Sequence, residues 1–439
     1  MPELTPTPEQ ASALLAIETW LSEGYKRPKD LNKIWSKEFS HEEPFYTLRG
    51  YAGTGKSYAI TLLVKSGLLP PESVVFTAPT NKAVKVLRNY LDELGLQACE
   101  TKTIYSLLGL SLQANGEVKT LAKLGRPVDL SPYKAIIIDE ASMINTFLLE
   151  AIKEASAQWK RPFIFMGDPA QLPPVGEITS PIWKSTFGAE LTTVMRYGDS
   201  MLDLATDLRK VVNHPFPSIK IQANPPVFRW SKSQWLEKIL ENLELLKSDE
   251  AKIIAWRNVT VDKYNSFVRE AIFTRDMART NLWLPGDSIV ATSPLKDLAD
   301  EIFLKTDETA KILQVETGYH PKYKEYEVFN LLVLDEFGRE VLIRALTPKG
   351  QSALNHKLAE LSAEAKSGKT YKWREFWLLK EVFNEIRHSY AITTHRSQGS
   401  SYTKTFVDLE DILLNRNRGE AFRALYVACT RQREELHIA

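Results

Sequence analysis

The amino-acid sequence predicts an α/β fold with two sets of parallel strands. Short runs that are apolar at every position alternate with helical stretches, which is typical of parallel strands covered on both faces. Four such runs precede residue 190, at residues 45–48, 74–77, 135–138 and 163–166. A second set of strand candidates follows at residues 253–256, 390–393, 406–408 and 436–438.

The elements are predicted in the following order. A helix at residues 9–21 precedes the first strand, and a first domain ends at residue 190. Within it, Asn115-Gly116 between polar flanks indicates a β-hairpin, so residues 108–131 are expected to form a small insertion. A second α/β domain comprises residues 191–279 and 387–439. Residues 280–386 are inserted into it, first β-like, with turn signals at residues 285–286, 318 and 337–338, and then helical and charged.

Composition limits the class of protein. The 439 residues are 44% hydrophobic and 25% charged, with 56 Lys and Arg residues against 55 Asp and Glu residues. At roughly 100 to 200 residues per domain, this length gives about two to four globular domains. The charge balance lacks the basic excess that is common in nucleic-acid-binding domains, so a nucleic acid would have to bind in a local groove.

A cytoplasmic location is expected. Two cysteines, Cys99 and Cys429, provide no disulfide framework and fit a reducing compartment. The N-terminal residues lack the basic and apolar regions of a signal peptide. The longest uncharged stretch, residues 103–116, is too short and too polar to cross a bilayer, and no membrane association is predicted.

A phosphate-binding loop follows the first predicted strand. The sequence Gly-Tyr-Ala-Gly-Thr-Gly-Lys-Ser at residues 50–57 matches the P-loop pattern, and a helical stretch follows it. In such a loop the glycines let backbone N–H groups face the phosphates, Lys56 reaches the β- and γ-phosphates, and Ser57 binds Mg²⁺. The alternative is a glycine-rich turn, but the strand, loop and helix context favours binding of ATP with magnesium.

Carboxylates follow the third apolar run. Asp139 and Glu140 come directly after residues 135–138, at the edge where α/β sheets bind ligands. Asp139 is predicted to bind magnesium and Glu140 to activate the attacking water. Gln171 lies on a proline-rich loop after the fourth run, where its amide could sense the γ-phosphate. Alone, each of these segments would be interpreted as a solvated strand end or turn.

These residues, taken in order, resemble the superfamily 1 helicases, in the 5′-to-3′ branch of RecD-like and Dda-like proteins. The length and motif spacing are closer to the Dda-like members than to the longer RecD chains. Motifs I, Ia, Ib, II, III, IV, V and VI are matched by residues 50–57, 77–83, 102–106, 138–143, 167–172, 191–196, 394–400 and 425–431. The resemblance implies two RecA-like P-loop domains, with a hairpin that separates strands in the first and an SH3-like plus helical insertion in the second.

The resemblance also implies roles for individual residues. Gln10 would read adenine, and Arg196 and Arg431 would be arginine fingers, although each arginine alone would be interpreted as a surface charge. The catalytic residues would be Lys56, Glu140, Gln171, Arg196 and Arg431. The nucleotide would be bound by Gln10, Gly50, Gly53, Thr54, Gly55, Lys56, Ser57, Gln398 and Gly399, and magnesium by Ser57 and Asp139.

A single DNA strand would contact motifs Ia, Ib and V. The implied residues are Pro79, Thr80, Asn81, Thr103, Tyr105, Thr394 and His395. Tyr105 departs from the histidine that is usual in Dda-like proteins, so a base or phosphate contact there is expected to be altered or replaced by stacking. Residues 319–326 interleave aromatics with lysines and are either a further stacking site or a solvated loop. Trp373 and Trp377 are predicted to pack and brace the hairpin rather than to stack on bases.

The predicted function is that of an ATP-dependent DNA helicase that acts as a monomer on single-stranded DNA and on junctions with duplex DNA. Replication, repair or recombination proteins are possible partners, in a bacterial or phage-infected cytoplasm. The 5′-to-3′ direction follows from the resemblance alone. Two alternatives remain open: a P-loop ATPase of another class, and a translocase that strips proteins but unwinds poorly. A non-catalytic nucleic-acid-binding protein is disfavoured because the catalytic residues are all present, namely Lys56, Asp139, Glu140, Gln171, Arg196 and Arg431.

Overall fold

The computed structural model describes residues 5–24, 44–115, 118–123, 128–185, 187–194, 199–212, 214, 221–297, 299 and 301–439. The chain divides into two compact units. The first unit comprises residues 1–110, 123–230 and 397–439, and the second comprises residues 111–122 and 231–396. The domain boundaries expected from the sequence at residues 190, 280 and 386 remain predictions.

Strands and helices are numbered in chain order. The strands are β1 (Phe45–Gly50), β2 (Val74–Ala78), β3 (Glu100–Thr103), β4 (Leu110–Asn115), β5 (Val118–Lys123), β6 (Ala135–Ile138), β7 (Phe163–Gly167), β8 (Gly188–Leu191), β9 (Val227–Arg229), β10 (Ala251–Ala255), β11 (Ser288–Ala291), β12 (Leu295–Lys296), β13 (Ile302–Leu304), β14 (Thr309–Tyr319), β15 (Glu327–Asp335), β16 (Glu340–Leu346), β17 (Ile386–His388), β18 (Ala391–Thr393), β19 (Tyr402–Val407) and β20 (Gln432–Ile438). The helices are α1 (Pro8–Ser22), α2 (Lys56–Lys65), α3 (Asn81–Glu93), α4 (Ile104–Leu107), α5 (Thr146–Trp159), α6 (Asp199–Val212), α7 (Lys232–Glu241), α8 (Leu243–Lys247), α9 (Asn258–Ile272), α10 (Arg275–Thr280), α11 (Pro348–Lys366), α12 (Lys372–Lys380), α13 (Thr394–Ser397), α14 (Leu409–Leu413) and α15 (Arg418–Ala428).

A six-stranded parallel sheet forms the centre of the first unit, in the order β3-β2-β6-β7-β1-β8. The four apolar runs predicted before residue 190 are its four central strands. Helix α1 packs Ile17 and Trp20 into the core beside Leu63 of α2 and Leu87 of α3. The outer strands β3 and β8 are more exposed and more polar than the four central strands. Neither contains an apolar run that would have predicted it from the sequence.

The first unit also contains three further parallel strands, β9, β19 and β20. Strand β20 pairs with β19 and with β9. The runs predicted at residues 406–408 and 436–438 therefore fall at the ends of β19 and β20. Helix α15 follows β19 and is buried along most of its length, from Ala421 to Ala428. This burial brings motif VI into the interior of the unit.

The second unit combines a parallel strand pair with an antiparallel sheet. Strands β10 and β18 are parallel, as predicted. The antiparallel sheet has the order β16-β15-β14-β11-β17 and encloses an apolar core that includes Ile289, Ile312 and Leu331. The turn expected at residues 337–338 joins β15 to β16. The turn expected at Gly318 is wrong: Gly318 lies inside the long strand β14 and pairs with Val328.

The hairpin strands β4 and β5 pair with each other as a two-stranded sheet. Residues 111–122 belong to the second unit. Asn115 is the last residue of β4, and Gly116 lies outside the described residues.

Among the helices that are described, none is long and apolar enough to cross a membrane.

Candidate nucleotide site

The P-loop has a backbone shape that depends on glycine. It connects β1 to α2, and Gly53 and Gly55 adopt φ angles of 83° and 74°, in the left-handed region that glycine tolerates best. A Cβ on Gly55 would lie 2.5 Å from Nε2 of Gln10. A Cβ on Gly50 would lie 2.6 Å from Oγ1 of Thr54. The loop is therefore a close-packed cradle, and α2 starts from it without a side-chain cap, which leaves its first N–H groups available to an anion.

Gln10 joins α1 to this loop. Its amide Nε2 donates to the Thr54 carbonyl at 3.0 Å, and its Oε1 accepts from the Thr7 N–H at 3.0 Å. Thr7 and Gln10 together form a capping box at the start of α1. The amide is thus held beside the P-loop by both of its polar atoms.

Lys56 and Ser57 face the end of β6. The Lys56 ammonium donates to the carbonyls of Gly50 at 2.7 Å and Tyr51 at 2.9 Å. The Ser57 hydroxyl donates to Oδ2 of Asp139 at 3.5 Å. A hydroxyl and a carboxylate at this separation are oxygen ligands of the kind that Mg²⁺ prefers. Ser57 and Asp139 therefore fit Mg²⁺, for which phosphate and water would be the remaining ligands. No cluster of three His, Cys, Asp or Glu that could bind a metal occurs in the described ranges.

Both carboxylates after β6 are strongly perturbed. Burial raises the pKa of Asp139 above its ordinary value, although the Glu140 N–H and Lys56 oppose this. Burial and the neighbouring Asp139 raise the pKa of Glu140 to about 7, against the opposing charges of Arg431 and Lys56. A divalent cation on Ser57 and Asp139 would favour the charged forms. A carboxyl poised in this way is typical of a general base for water.

Motif III and motif VI residues lie against the same cleft. Gln398 Nε2 donates to Oε1 of Gln171 at 3.1 Å, and both side chains are buried. Arg431 is 6% exposed, and its Nε donates to the Val427 carbonyl at 3.0 Å. A cleft of about 370 Å³ is lined by predicted residues from five motifs, namely Gly53, Gly55, Lys56, Ser57, Asp139, Glu140, Gln171, Gly399 and Arg431. Arg196 lies outside the described residues.

Three further residues link these motifs and were missed in the sequence. Oδ2 of Asp168 accepts from the Ala52 N–H of the P-loop at 3.0 Å and from the Tyr426 hydroxyl at 2.5 Å. Arg423 donates to the carbonyls of Pro169 and Gln171. Asp168 directly follows β7, and Tyr426 lies within the motif VI match at residues 425–431; both positions were usable signals. Arg423 precedes that match on α15, and no spacing pointed to it.

The DNA contacts predicted in the first unit lie on one edge of its sheet. Thr80 and Thr103 follow the adjacent strands β2 and β3, and their hydroxyls cap α3 and α4. Asn81 begins α3, and Pro79 beside it is buried. Tyr105 is partly buried, and this burial raises its pKa. Two capped helix N-termini side by side can bind phosphate oxygens without reading the sequence.

The contacts predicted in the second unit differ from each other. Thr394 is fully buried and its hydroxyl donates to the Ala255 carbonyl at 3.2 Å, whereas His395 is exposed. The His395 ring lies 5.1 Å from that of Trp256. Both border a cavity of about 1010 Å³ that is also lined by Trp283, Lys380, Arg387 and Arg396.

The aromatic candidates of the insertion divide into two kinds. Tyr319 is 56% exposed, whereas Tyr326 is buried against Phe383 and belongs to a small core. Trp373 and Trp377 both contact Phe376 edge-on, with ring centres 5.5 and 5.3 Å apart. Both contacts are with a residue of their own helix, and the predicted bracing of the hairpin stays a prediction.

Comparisons with known proteins identify relatives of the whole chain. Residues 35–211 match the AAA domain family, and residues 388–439 match the UvrD-like helicase C-terminal domain. The ATP-dependent DNA helicase Dda of Enterobacteria phage T4 is 28% identical, over 95% of this chain and 98% of its own. A protein of Acanthamoeba polyphaga mimivirus is 23% identical, over 94% of this chain and 98% of its own.

Solved structures of Pif1 helicases have the same fold. One, of two Pif1 helicases on forked double-stranded DNA, has a TM-score of 0.54 and 15% identity, over 99% of this chain and 92% of that one. Bacteroides Pif1 bound to single-stranded DNA has a TM-score of 0.51 and 14% identity, with the same coverage. The chain therefore has the RecA-like α/β fold of superfamily 1 helicases. It is a homologue of the phage T4 helicase Dda, and the resemblance inferred from the motifs is confirmed.

Proposed function

We propose that this protein is an ATP-dependent DNA helicase that moves 5′ to 3′ on single-stranded DNA and separates duplex DNA ahead of it. The observation that carries the proposal is the cleft in which residues of motifs I, II, III, V and VI meet. The full-length similarity to Dda supports the same activity. ATP and Mg²⁺ are the proposed cofactors, and single-stranded DNA is the proposed track.

The side chains of the cleft account for hydrolysis. When bound, Mg·ATP supplies the phosphoryl group and a divalent charge that stabilises the leaving group. Lys56 neutralises phosphate charge, and Ser57 with Asp139 binds the metal. Glu140 accepts a proton from the attacking water and orients it. Gln171 lies beside the same space and distinguishes the presence of a γ-phosphate.

Arg431 and Arg196 are the proposed arginine fingers. An arginine that reaches the transferred phosphoryl group is worth roughly 10³ to 10⁵ in rate in related enzymes. Arg431 already exerts its charge on Glu140, which supports a position near the reaction. Because both arginines belong to the predicted second motor domain, hydrolysis would depend on the arrangement of the two motor domains. This dependence would couple each turnover to a step along DNA.

The proposed DNA track uses different chemistry in each unit. In the first unit, Thr80, Asn81 and Thr103 offer hydroxyl, amide and helix N-terminal groups to phosphates. In the second unit, Trp256 and His395 offer aromatic faces, beside the cations Arg387 and Arg396. Base stacking and cationic side chains together bind single strands without sequence preference.

The hairpin of β4 and β5 is the proposed strand separator. Its residues 111–122 belong to the same unit as α11 and α12, which supports a role for these helices in bracing it. A rigid separator is needed because it must resist the rejoining strands. Action as a monomer in the cytoplasm, with replication or recombination proteins as partners, completes the proposal. Cys99 and Cys429 are both free thiols, which fits a reducing compartment.

Strand displacement on forked DNA tests the proposal directly. Two substrates share one duplex and differ only in a 5′ or a 3′ single-stranded tail. We expect ATP-dependent displacement with the 5′ tail only. Displacement with the 3′ tail alone would reverse the direction, and ATPase activity that is indifferent to single-stranded DNA would favour another class of P-loop ATPase. ATP-driven removal of a bound protein without displacement would identify a translocase.

A further inference from the structure

Glu9, the residue before Gln10, binds the chain where it leaves the central sheet. Oε2 of Glu9 accepts from the N–H groups of Thr192 and Thr193, each at 2.9 Å. Oε1 accepts from the Thr192 hydroxyl at 2.5 Å. These hydrogen bonds, the one from the Thr192 side chain foremost, lower the pKa of Glu9 to about 2. The carboxylate is thus charged at neutral pH and is fully engaged by one short segment.

Glu9 and Gln10, in one turn of α1, therefore contact two different parts of the first unit. Gln10 holds the P-loop through the Thr54 carbonyl, and Glu9 holds the two residues that follow β8. A capping box and a proline at the first position stabilise the start of α1. The same turn of α1 therefore contacts both the P-loop and Thr192 with Thr193.

A second link lies on the far side of the same segment. Helix α6 begins at Asp199, and its Arg209 guanidinium lies 3.5 Å from the ring centre of Tyr51 in the P-loop. Helix α6, which follows in the sequence, thus also contacts the P-loop. Arg196, which the proposed function treats as an arginine finger, lies within this segment by sequence.

We infer that Glu9 is a positioning residue for ATP hydrolysis, which ties the segment leading to Arg196 to the helix that contacts the P-loop. Glu9 touches neither phosphate nor metal ligand in this arrangement, so it acts through Thr192 and Thr193. The inference rests on the proposed function. Its consequence is that Glu9 should affect turnover more than it affects ATP binding.

The test measures kcat and KM for DNA-stimulated ATP hydrolysis in the full-length chain. Glu9→Gln keeps the size of the side chain and removes its charge; we expect kcat to fall about tenfold with KM within about twofold, because small misplacements of catalytic groups are costly. Glu18→Gln is the matched control, since Glu18 is an exposed glutamate on the same helix. We expect it to match the wild type.

A double-mutant cycle separates positioning from simple destabilisation. If Glu9 acts on Arg196, Glu9→Gln should have no further effect on kcat in an Arg196→Ala background. A tenfold loss that persists in that background would overturn the inference, as would a Glu9→Gln variant with wild-type kcat. Thr192→Val removes only the hydroxyl contact and should lower kcat about threefold. This variant tests the inference if Glu9→Gln folds poorly. An unchanged kcat in Thr192→Val would count against the inference.

The outcome for Glu9 can be distinguished from that for the proposed function. A wild-type chain without DNA-stimulated ATP hydrolysis would contradict the helicase proposal itself. A wild-type chain with this activity, and a Glu9→Gln variant equal to it, would contradict only the role of Glu9.

Discussion

The nucleotide site of the first unit and the proposed strand-binding surface of the second unit differ in how closely their atoms are constrained. In the nucleotide site, hydrogen bonds of 2.5 to 3.5 Å connect the P-loop to motifs II and III and to α15. Around Trp256 and His395, an open cavity of about 1010 Å³ is bordered by aromatic and cationic side chains. Phosphoryl transfer needs fixed donors and acceptors, whereas binding any base sequence needs only flat faces and positive charge.

This contrast explains why the nucleotide site can be recognised in the sequence, whereas the proposed strand-binding surface cannot. Residues 50–57 follow a fixed pattern because each glycine, lysine and hydroxyl has one task. The cavity residues come from separated elements, from Trp256 after β10 to Arg396 in α13, and follow no spacing. The same contrast predicts how substitutions in each region should behave.

Lys56→Ala should have the largest effect and is the sharpest test of the nucleotide site. Removing the ammonium that neutralises the phosphates should lower kcat by about 10³ or more, while single-stranded DNA binding persists. Lys65→Ala, on the exposed last turn of the same helix, is the control and should retain activity. An active Lys56→Ala variant would break the comparison, because the tightest part of the site would then be dispensable.

Trp256→Ala should weaken binding of a labelled oligonucleotide by about tenfold. The loss of one stacking face is worth roughly 1 to 3 kcal/mol per base. Phe337→Ala is a matched control, because Phe337 is an aromatic residue of the same unit that is 70% exposed at the β15–β16 turn. Equal dissociation constants for the two variants, measured by fluorescence anisotropy, would remove Trp256 from the proposed track.

Tyr426→Phe should lower kcat about fivefold. It deletes one hydroxyl that donates to Asp168, and Asp168 keeps its bond from the Ala52 N–H, so only part of the link is lost. Tyr133→Phe removes a comparable hydroxyl that donates to Glu100 at the outer strand β3, and should leave kcat unchanged. If both variants hydrolyse ATP at the wild-type rate, the link between α15 and the P-loop has no catalytic consequence.

The smallest expected effect is the pH dependence of stability due to Glu9. Its folded-state pKa of about 2 is below the ordinary value of 4.5, so its contribution is fully present above about pH 4.5 and is lost as pH falls towards 2. Because the side chain is only partly buried, Glu9→Gln should lower Tm by about 2 °C or less at neutral pH. Thermal unfolding should show this difference shrinking below pH 4.5; a difference that grows in acid would contradict the sign.

Much of the fold and most of the nucleotide site could be predicted from the sequence. The central strands β1, β2, β6 and β7 are almost entirely buried and are therefore largely apolar. The edge strands β3 and β8 bury less and left no comparable pattern. Gly318 was misinterpreted as a turn because glycine favours turns locally, whereas the pairing of β14 with β15 overrides that preference.

The sequence by itself determined the chemistry, because the P-loop, the Asp139-Glu140 pair and Gln171 stand in short segments whose spacing is set by one strand, loop and helix. Only the tertiary structure decided which distant residues support that chemistry. Tyr426 reaches Asp168 across 258 positions of the chain, and Glu9 reaches Thr192 across 183. Such contacts depend on how helices pack over a sheet. The identity of a single residue does not indicate which distant residue it will contact after packing.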